Sequence, residues 1–129
     1  MNTQVLPVNE ESIALAAKLL QQGELVALPT ETVYGLAANA YDEAAVKAVY
    51  AAKGRPSDNP MIVHIAELSA LPELVTAIPE NAKILAEAFW PGPLTMVLPR
   101  SSKIPLTTTG GLETVAIRMP SHPVARAVI

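Results

Sequence analysis

Two cations lie within three residues of each other, because Lys53 and Arg55 are separated only by Gly54. Lysine supplies a compact charge and arginine a planar fork of donors, a combination suited to a polyphosphate. Pro56 disfavours the helical conformation at Arg55, so we expect an extended geometry in which both side chains reach one ligand. A lysine that stabilises a helix end beside a solvated arginine is an equally good interpretation of these residues.

A third cation, Arg118, interrupts the apolar residues of a predicted strand, Val115-Ala116-Ile117 and Met119. An arginine in a largely buried strand needs an anionic partner. One interpretation is a structural ion pair with a glutamate of this chain. The other is a clamp for the carboxylate of a substrate.

Polar side chains follow the first predicted strand, at Thr30, Glu31 and Thr32. Ligands gather outside the carboxyl ends of strands in open α/β sheets, so these groups are candidates for ligand contact. Hydroxyls that satisfy local backbone groups are the alternative. His64 shares a strand face with Ile62 and has no second histidine at metal-ligand spacing, so it is either a hydrogen-bonded structural residue or a ligand contact. We therefore predict no protein-bound metal.

Helical and strand periods alternate along the chain, which predicts an α/β domain with helices packed on a twisted mixed sheet. An Asn9 cap and apolar residues at three- and four-residue spacing predict a first helix up to Gly23, and Asp42 begins a second helix that ends at Gly54. A buried strand is predicted at 25–28, and further strands are predicted at 61–65, 94–98 and 115–119. A third helix is predicted at 79–88 and a fourth that begins at Ser121-His122-Pro123.

Composition narrows the possible functions. The 129 residues suit one domain, which we place at 1–129, and they contain no cysteine, which excludes disulfides and thiol nucleophiles. The formal net charge of −3 and the few aromatic residues argue against a long nucleic-acid interface, so direct nucleic-acid binding should be weak at most. No apolar run is long enough to span a membrane, and we expect a cytoplasmic protein.

Five segments together resemble the YrdC-like family and, within it, the threonylcarbamoyl-AMP synthases of a tRNA-modification pathway. They occur in the family's order and spacing and extend over nearly the whole chain. The segments are Pro29-Thr30-Glu31-Thr32-Val33-Tyr34-Gly35-Leu36, Lys53-Gly54-Arg55-Pro56, Asn59-Pro60-Met61-Ile62-Val63-His64-Ile65, Trp90-Pro91-Gly92-Pro93-Leu94-Thr95 and Thr114-Val115-Ala116-Ile117-Arg118-Met119-Pro120.

The resemblance implies that L-threonine, bicarbonate and ATP, with Mg²⁺ on the phosphates, give L-threonylcarbamoyl-AMP and pyrophosphate. The product would pass to a tRNA-modifying transferase complex. The resemblance also implies two sets of site residues. The threonine set is Thr30, Ile62, His64 and Arg118; the ATP set is Lys53, Arg55, Ser57 and Thr114, of which Lys53 and Arg55 are the expected catalytic cations.

The family's phosphate site is completed by a Ser-x-Asn motif beyond the helix that begins at Ser121-His122-Pro123, and this sequence does not reach it. We therefore expect a YrdC-like domain truncated at its C-terminus, weak or inactive as an enzyme by itself. Two alternatives stay open. One is a non-catalytic module that binds nucleotide or double-stranded RNA. The other is a carbamoyl-transfer domain of the hydrogenase-maturation type.

Overall fold

The computed structural model describes residues 2–129 and shows an alternation of short helices and strands. A 3₁₀ turn at Leu68–Ala70 leads into α3. The helices are α1 (Glu10–Gln21), α2 (Glu43–Lys53), α3 (Leu71–Leu74), α4 (Glu80–Phe89) and α5 (Pro123–Val128), and the strands are β1 (Val26–Leu28), β2 (Gly35–Ala37), β3 (Ile62–His64), β4 (Thr95–Pro99) and β5 (Thr114–Arg118).

The predicted helix caps are present. The Asn9 side chain accepts a hydrogen bond from the Ser12 N–H at 2.8 Å, and the Asp42 carboxylate accepts bonds from the Ala44 and Ala45 N–H groups at 3.0 and 3.2 Å. Each cap satisfies N–H groups that the first helical turn cannot pair internally. These local bonds determine where α1 and α2 begin.

The strands form two sheets. β1 and β2 pair antiparallel as a hairpin, whereas β3, β5 and β4 form a mixed sheet with β5 in the centre. β3 runs parallel to β5 with His64 opposite Arg118, and β4 runs antiparallel to β5 with Thr95 opposite Arg118. The α/β class with a mixed sheet is thus confirmed, although the strands divide between two sheets.

The hydrophobic core lies on one face of the three-stranded sheet. Ile117 and Val115 of β5 are almost fully buried there, and Ala82 and Ala86 of α4 belong to the same core. Because side chains alternate across a strand, the residues between these buried positions point to the opposite face. The opposite face of the sheet carries both polar and apolar side chains.

The N-terminal half differs from the predictions in the burial of β1 and in the presence of β2. Residues 25–28 were predicted as a buried strand, but only Leu28 is buried, because β1 pairs with β2 alone. The strand β2 was not predicted, and its short Gly-Leu-Ala sequence carries no alternation of polar and apolar residues. In addition, no helix among residues 2–129 has the length and apolar character needed to cross a membrane.

Candidate functional site

The face of the three-stranded sheet that points away from the core, which we call the open face, carries four of the candidate residues, Ile62, His64, Thr114 and Arg118. Residues paired across adjacent strands share a face, so the paired register places them in rows. The open face consists of Ile62 and His64 of β3, Thr114, Ala116 and Arg118 of β5, and Thr95, Val97 and Pro99 of β4.

One row of the open face runs from His64 through Arg118 to Thr95. Arg118 is half-buried, and its Nε donates a hydrogen bond to the Thr95 hydroxyl at 3.0 Å. No carboxylate lies within ion-pair distance of Arg118 in the described part of the chain, so the structural ion pair with a glutamate is not formed there. The guanidinium lies on the open face without an ion-pair partner among residues 2–129, as a clamp for an anion requires.

His64 is held in one ring orientation. Its Nδ1 donates a hydrogen bond to the Ile62 carbonyl oxygen at 3.0 Å, which leaves Nε2 as the acceptor of the neutral ring. Burial lowers the pKa of His64 below its ordinary value of 6.5, and the Arg118 charge lowers it further, against opposing contributions from the Ile62 hydrogen bond and Glu31. We therefore expect a neutral imidazole beside the Arg118 guanidinium at neutral pH.

Acidification should reveal this lowered pKa. Between the ordinary value of 6.5 and the lower pKa of the folded state, the unfolded chain binds more protons at this site, so the free energy of unfolding should fall as pH decreases through that range. Urea unfolding of wild type and His64→Gln from pH about 8 to about 5 measures the effect. The variant should show a flatter dependence below pH 6.5. Superimposable curves for the two proteins would contradict the expectation.

The loop between β1 and β2 satisfies much of its own polar content. The Thr30 hydroxyl donates to the Val33 carbonyl oxygen, and the Thr32 N–H donates back to that hydroxyl at 3.3 Å. The local interpretation of these threonines is thus observed in the structure. Glu31 differs, because its Oε2 is buried without a hydrogen-bond partner among residues 2–129. The loop is therefore folded upon itself, with one carboxylate oxygen unsatisfied.

The cationic segment begins at the end of α2 and continues through a glycine turn. Lys53 is the last residue of α2 and is exposed, and Gly54 reverses the chain in the left-handed region with a φ of 60°. The Nη2 of Arg55 donates to the Pro60 carbonyl oxygen at 3.1 Å, while its Nε is buried without a partner in the described residues. That the side chains of Lys53 and Arg55 reach one ligand stays a prediction.

Tyr50 forms hydrogen bonds both to the segment that leads into β3 and to the loop that precedes β5. Its hydroxyl lies 2.9 Å from the Asn59 carbonyl oxygen and 3.1 Å from that of Thr107. The Met61 N–H donates to the Thr108 carbonyl oxygen at 3.0 Å. The two loops thus enter β3 and β5 side by side.

The open face therefore has two distinct ends. Because β3 and β5 are parallel, the segment that contains Arg55 and Ser57 leads into the same end of the sheet at which β5 begins with Thr114. His64 and Arg118 lie at the other end. The rise of a strand places Arg118 about 13 Å from Thr114. Along the open face, Thr114 thus lies at one end, His64 and Arg118 at the other, and Ile62 between them.

A cavity of about 820 Å³ adjoins the threonine end. Thr30, Ile62 and His64 line it together with apolar side chains from both sheets. Arg118 does not line it, but it lies on the neighbouring strand directly opposite His64. The cavity thus brings together three of the four residues predicted for threonine.

Sequence reasoning gave no role to Thr95, although this threonine is the observed partner of Arg118. Alternation along 94–98 was the available signal. It places Thr95 and Val97 on the face opposite the buried Met96 and Leu98. Which residue of β5 stands beside Thr95 depends on the pairing register, which the sequence alone does not reveal.

Known proteins resemble this chain closely. It is 57% identical over 122 residues to a threonylcarbamoyl-AMP synthase of Pyrococcus abyssi, covering 95% of this chain and 36% of that protein. It is 57% identical over 128 residues to a threonylcarbamoyl-AMP synthase of Bacillus subtilis, covering 98% of this chain and 37% of that protein. The chain thus spans little more than a third of the length of these relatives.

Solved structures agree with the sequence relatives. The crystal structure of Pyrococcus abyssi Sua5 complexed with L-threonine superposes with a TM-score of 0.92 at 56% identity, covering 96% of this chain and 36% of that one. The model of the Sua5/YciO/YrdC family, described as "Telomere recombination", matches residues 18–129. The chain therefore belongs to the Sua5/YciO/YrdC family, in agreement with the resemblance found in its motifs.

Proposed function

We propose that the protein containing this chain makes L-threonylcarbamoyl-AMP from L-threonine, bicarbonate and ATP, with release of pyrophosphate. The observation that carries the proposal is the uncompensated Arg118 guanidinium beside His64, at one end of a face whose other end lies next to a cationic segment. Relatives at 57% identity are named threonylcarbamoyl-AMP synthases, and this naming supports the same reaction.

The reaction brings two anions together, a carbamate and the triphosphate of ATP. Threonine's amine takes up CO₂ derived from bicarbonate and loses a proton, which gives a carbamate. A carbamate oxygen then attacks the α-phosphorus of ATP, the bond to the β-phosphate oxygen breaks, and pyrophosphate leaves. Two like charges about 4 Å apart repel by roughly 4 kcal/mol at an effective dielectric constant of 20, so the protein must supply positive charge between them. Orientation and charge stabilisation account for the catalysis, and no protein nucleophile is needed.

We assign the threonine end of the open face to the amino acid. Arg118 binds the α-carboxylate through its free Nη groups, since a guanidinium matches a carboxylate in shape and charge. Thr30, Ile62 and His64 enclose the rest of the threonine, because all three line the adjoining cavity. The neutral His64 adds an acceptor without adding to the local positive charge.

We assign the other end to the nucleotide, which enters as its Mg²⁺ complex. Lys53 and Arg55 neutralise phosphate charge at the turn before β3, and Ser57 and Thr114 provide hydroxyls at the same sheet edge. The product passes to a tRNA-modifying transferase complex, and we place the reaction in the cytoplasm. The net charge of −3 favours recognition of a free nucleotide over direct tRNA binding.

Lys53→Ala in the full-length protein tests the phosphate assignment. We expect pyrophosphate release dependent on threonine and bicarbonate to fall about 10-fold, because a charge-assisted contact of an exposed lysine to phosphate contributes roughly 1.5 kcal/mol. Lys47→Ala is the matched control, since Lys47 also lies on α2 but pairs with Glu43 at 3.2 Å on the surface. Equal activity of the two variants would contradict the assignment.

Arg55→Ala should produce a loss of similar size, but Arg55 also supports the backbone at Pro60. Thermal unfolding of this variant therefore accompanies the kinetics. A large fall in activity with an unchanged melting temperature supports a role at the phosphates. An activity loss fully explained by unfolding would remove Arg55 from the site.

The same assay separates the alternative functions. Turnover with carbamoyl phosphate and none with threonine would indicate a carbamoyl-transfer domain. Tight binding of double-stranded RNA, weakening steeply with salt and without pyrophosphate release, would indicate a non-catalytic module. Threonine-dependent pyrophosphate release is the outcome that the proposal predicts.

A further inference from the structure

We propose that Thr95 is a positioning residue for substrate recognition, which holds the Arg118 guanidinium so that its terminal nitrogens receive the threonine carboxylate. This inference rests on the proposed function of Arg118. It adds a residue of β4, a strand that contributes no other residue to the proposed site.

The contact is specific in geometry. Arg118 Nε donates to the Thr95 hydroxyl oxygen at 3.0 Å, and the strand register holds the two residues directly opposite each other. Because Nε is occupied, the edge of the guanidinium formed by Nη1 and Nη2 remains for a ligand. Neither Nη atom has a hydrogen-bond partner among residues 2–129. That edge has the spacing of the two oxygens of a carboxylate.

The energetic argument concerns the free protein. An arginine side chain has several rotatable bonds, and its freedom must be lost when it grips a ligand. A hydrogen bond already formed before binding reduces that loss, so the ligand binds more tightly without touching Thr95. Thr95 should therefore affect threonine affinity more than the chemical step.

Thr95→Val and Thr95→Ser in the full-length protein separate the hydroxyl from the shape of the side chain. Valine keeps the branched form that suits a strand and removes the hydroxyl, whereas serine keeps the hydroxyl. We expect Thr95→Val to raise the KM for threonine about 10-fold, with kcat and the KM for ATP within about twofold of wild type. Thr95→Ser should restore most of the threonine affinity.

Val97→Thr provides the matched control, because Val97 lies on the same strand and the same face two residues away. This variant makes the reverse change, from valine to threonine, at a position whose opposite residue on β5 is Ala116 and not an arginine. We expect wild-type kinetics and an unchanged melting temperature for this variant.

A substrate analogue distinguishes positioning from general damage to the sheet. L-Threoninol, in which a CH₂OH group replaces the carboxylate, should inhibit wild type and Thr95→Val with the same inhibition constant, while threonine affinity differs about 10-fold between them. The inference would be overturned if Thr95→Val lost the same affinity for threoninol as for threonine. Wild-type kinetics of Thr95→Val would also overturn it, as would a Thr95→Ser variant that failed to restore threonine affinity. Pyrophosphate release by the wild type in the same assay shows independently whether the proposed function holds.

Discussion

Removing the Arg118 side chain by Arg118→Ala is expected to lower kcat/KM for threonine by about 100- to 1,000-fold in the pyrophosphate-release assay. The guanidinium is half-buried and has no carboxylate of the described chain as a partner, so a substrate carboxylate would be its counter-charge. Loss of one member of a hydrogen-bonded charge pair at a shielded site costs roughly 3–4 kcal/mol, which corresponds to this factor.

Two further variants define the origin of that loss. Arg118→Lys keeps the charge but not the fork, so its kcat/KM should lie between those of wild type and Arg118→Ala. Lys83→Ala is the matched control, because Lys83 is an exposed cation on α4 that pairs with Glu80 and does not line the cavity. If Arg118→Ala retained kcat/KM within threefold of the Lys83→Ala value, the assignment of the carboxylate site would be wrong.

Replacing Gly110 with alanine is expected to lower the free energy of unfolding by about 3 kcal/mol. Gly110 has a φ of +64°, and a Cβ atom at this position would lie 2.7 Å from the Asp58 carbonyl oxygen and 3.2 Å from the Pro60 nitrogen. The backbone conformation costs an alanine about 1 kcal/mol, and the contact adds a further overpacking penalty of about 2 kcal/mol. These contacts are with backbone, which cannot move aside as a flexible side chain can.

Gly111→Ala separates the two contributions. Gly111 has a φ of +87°, but a Cβ atom would meet nothing within 4 Å, so only the conformational cost of about 1 kcal/mol should appear. Urea unfolding of both variants measures the difference. Because Gly110 lies against the segment that leads from Ser57 into β3, Gly110→Ala should also raise the KM for ATP more than Gly111→Ala does. Equal stability of the two variants would show that the loops can separate at little cost.

The sequence by itself determined the features that depend on neighbouring residues. Asn9 and Asp42 begin helices because their side chains reach N–H groups two or three residues further on, and Gly54 ends α2 because glycine enters the left-handed region at little cost. Alternation correctly placed His64 and Ile62 on one face. The motifs also indicated the family, since their order along the chain does not depend on knowledge of the fold.

Only the tertiary structure decided which of these residues meet. The row that joins Thr95 to Arg118 and His64 depends on the register of three strands drawn from distant parts of the chain, and residues 23 positions apart there form one hydrogen bond. The contact of Arg55 with Pro60 and the partial exposure of β1 likewise depend on the paths of turns and on which strands pair. Local propensity acts over one turn of helix or one pair of strand residues, whereas strand register results from packing of the whole sheet against its core.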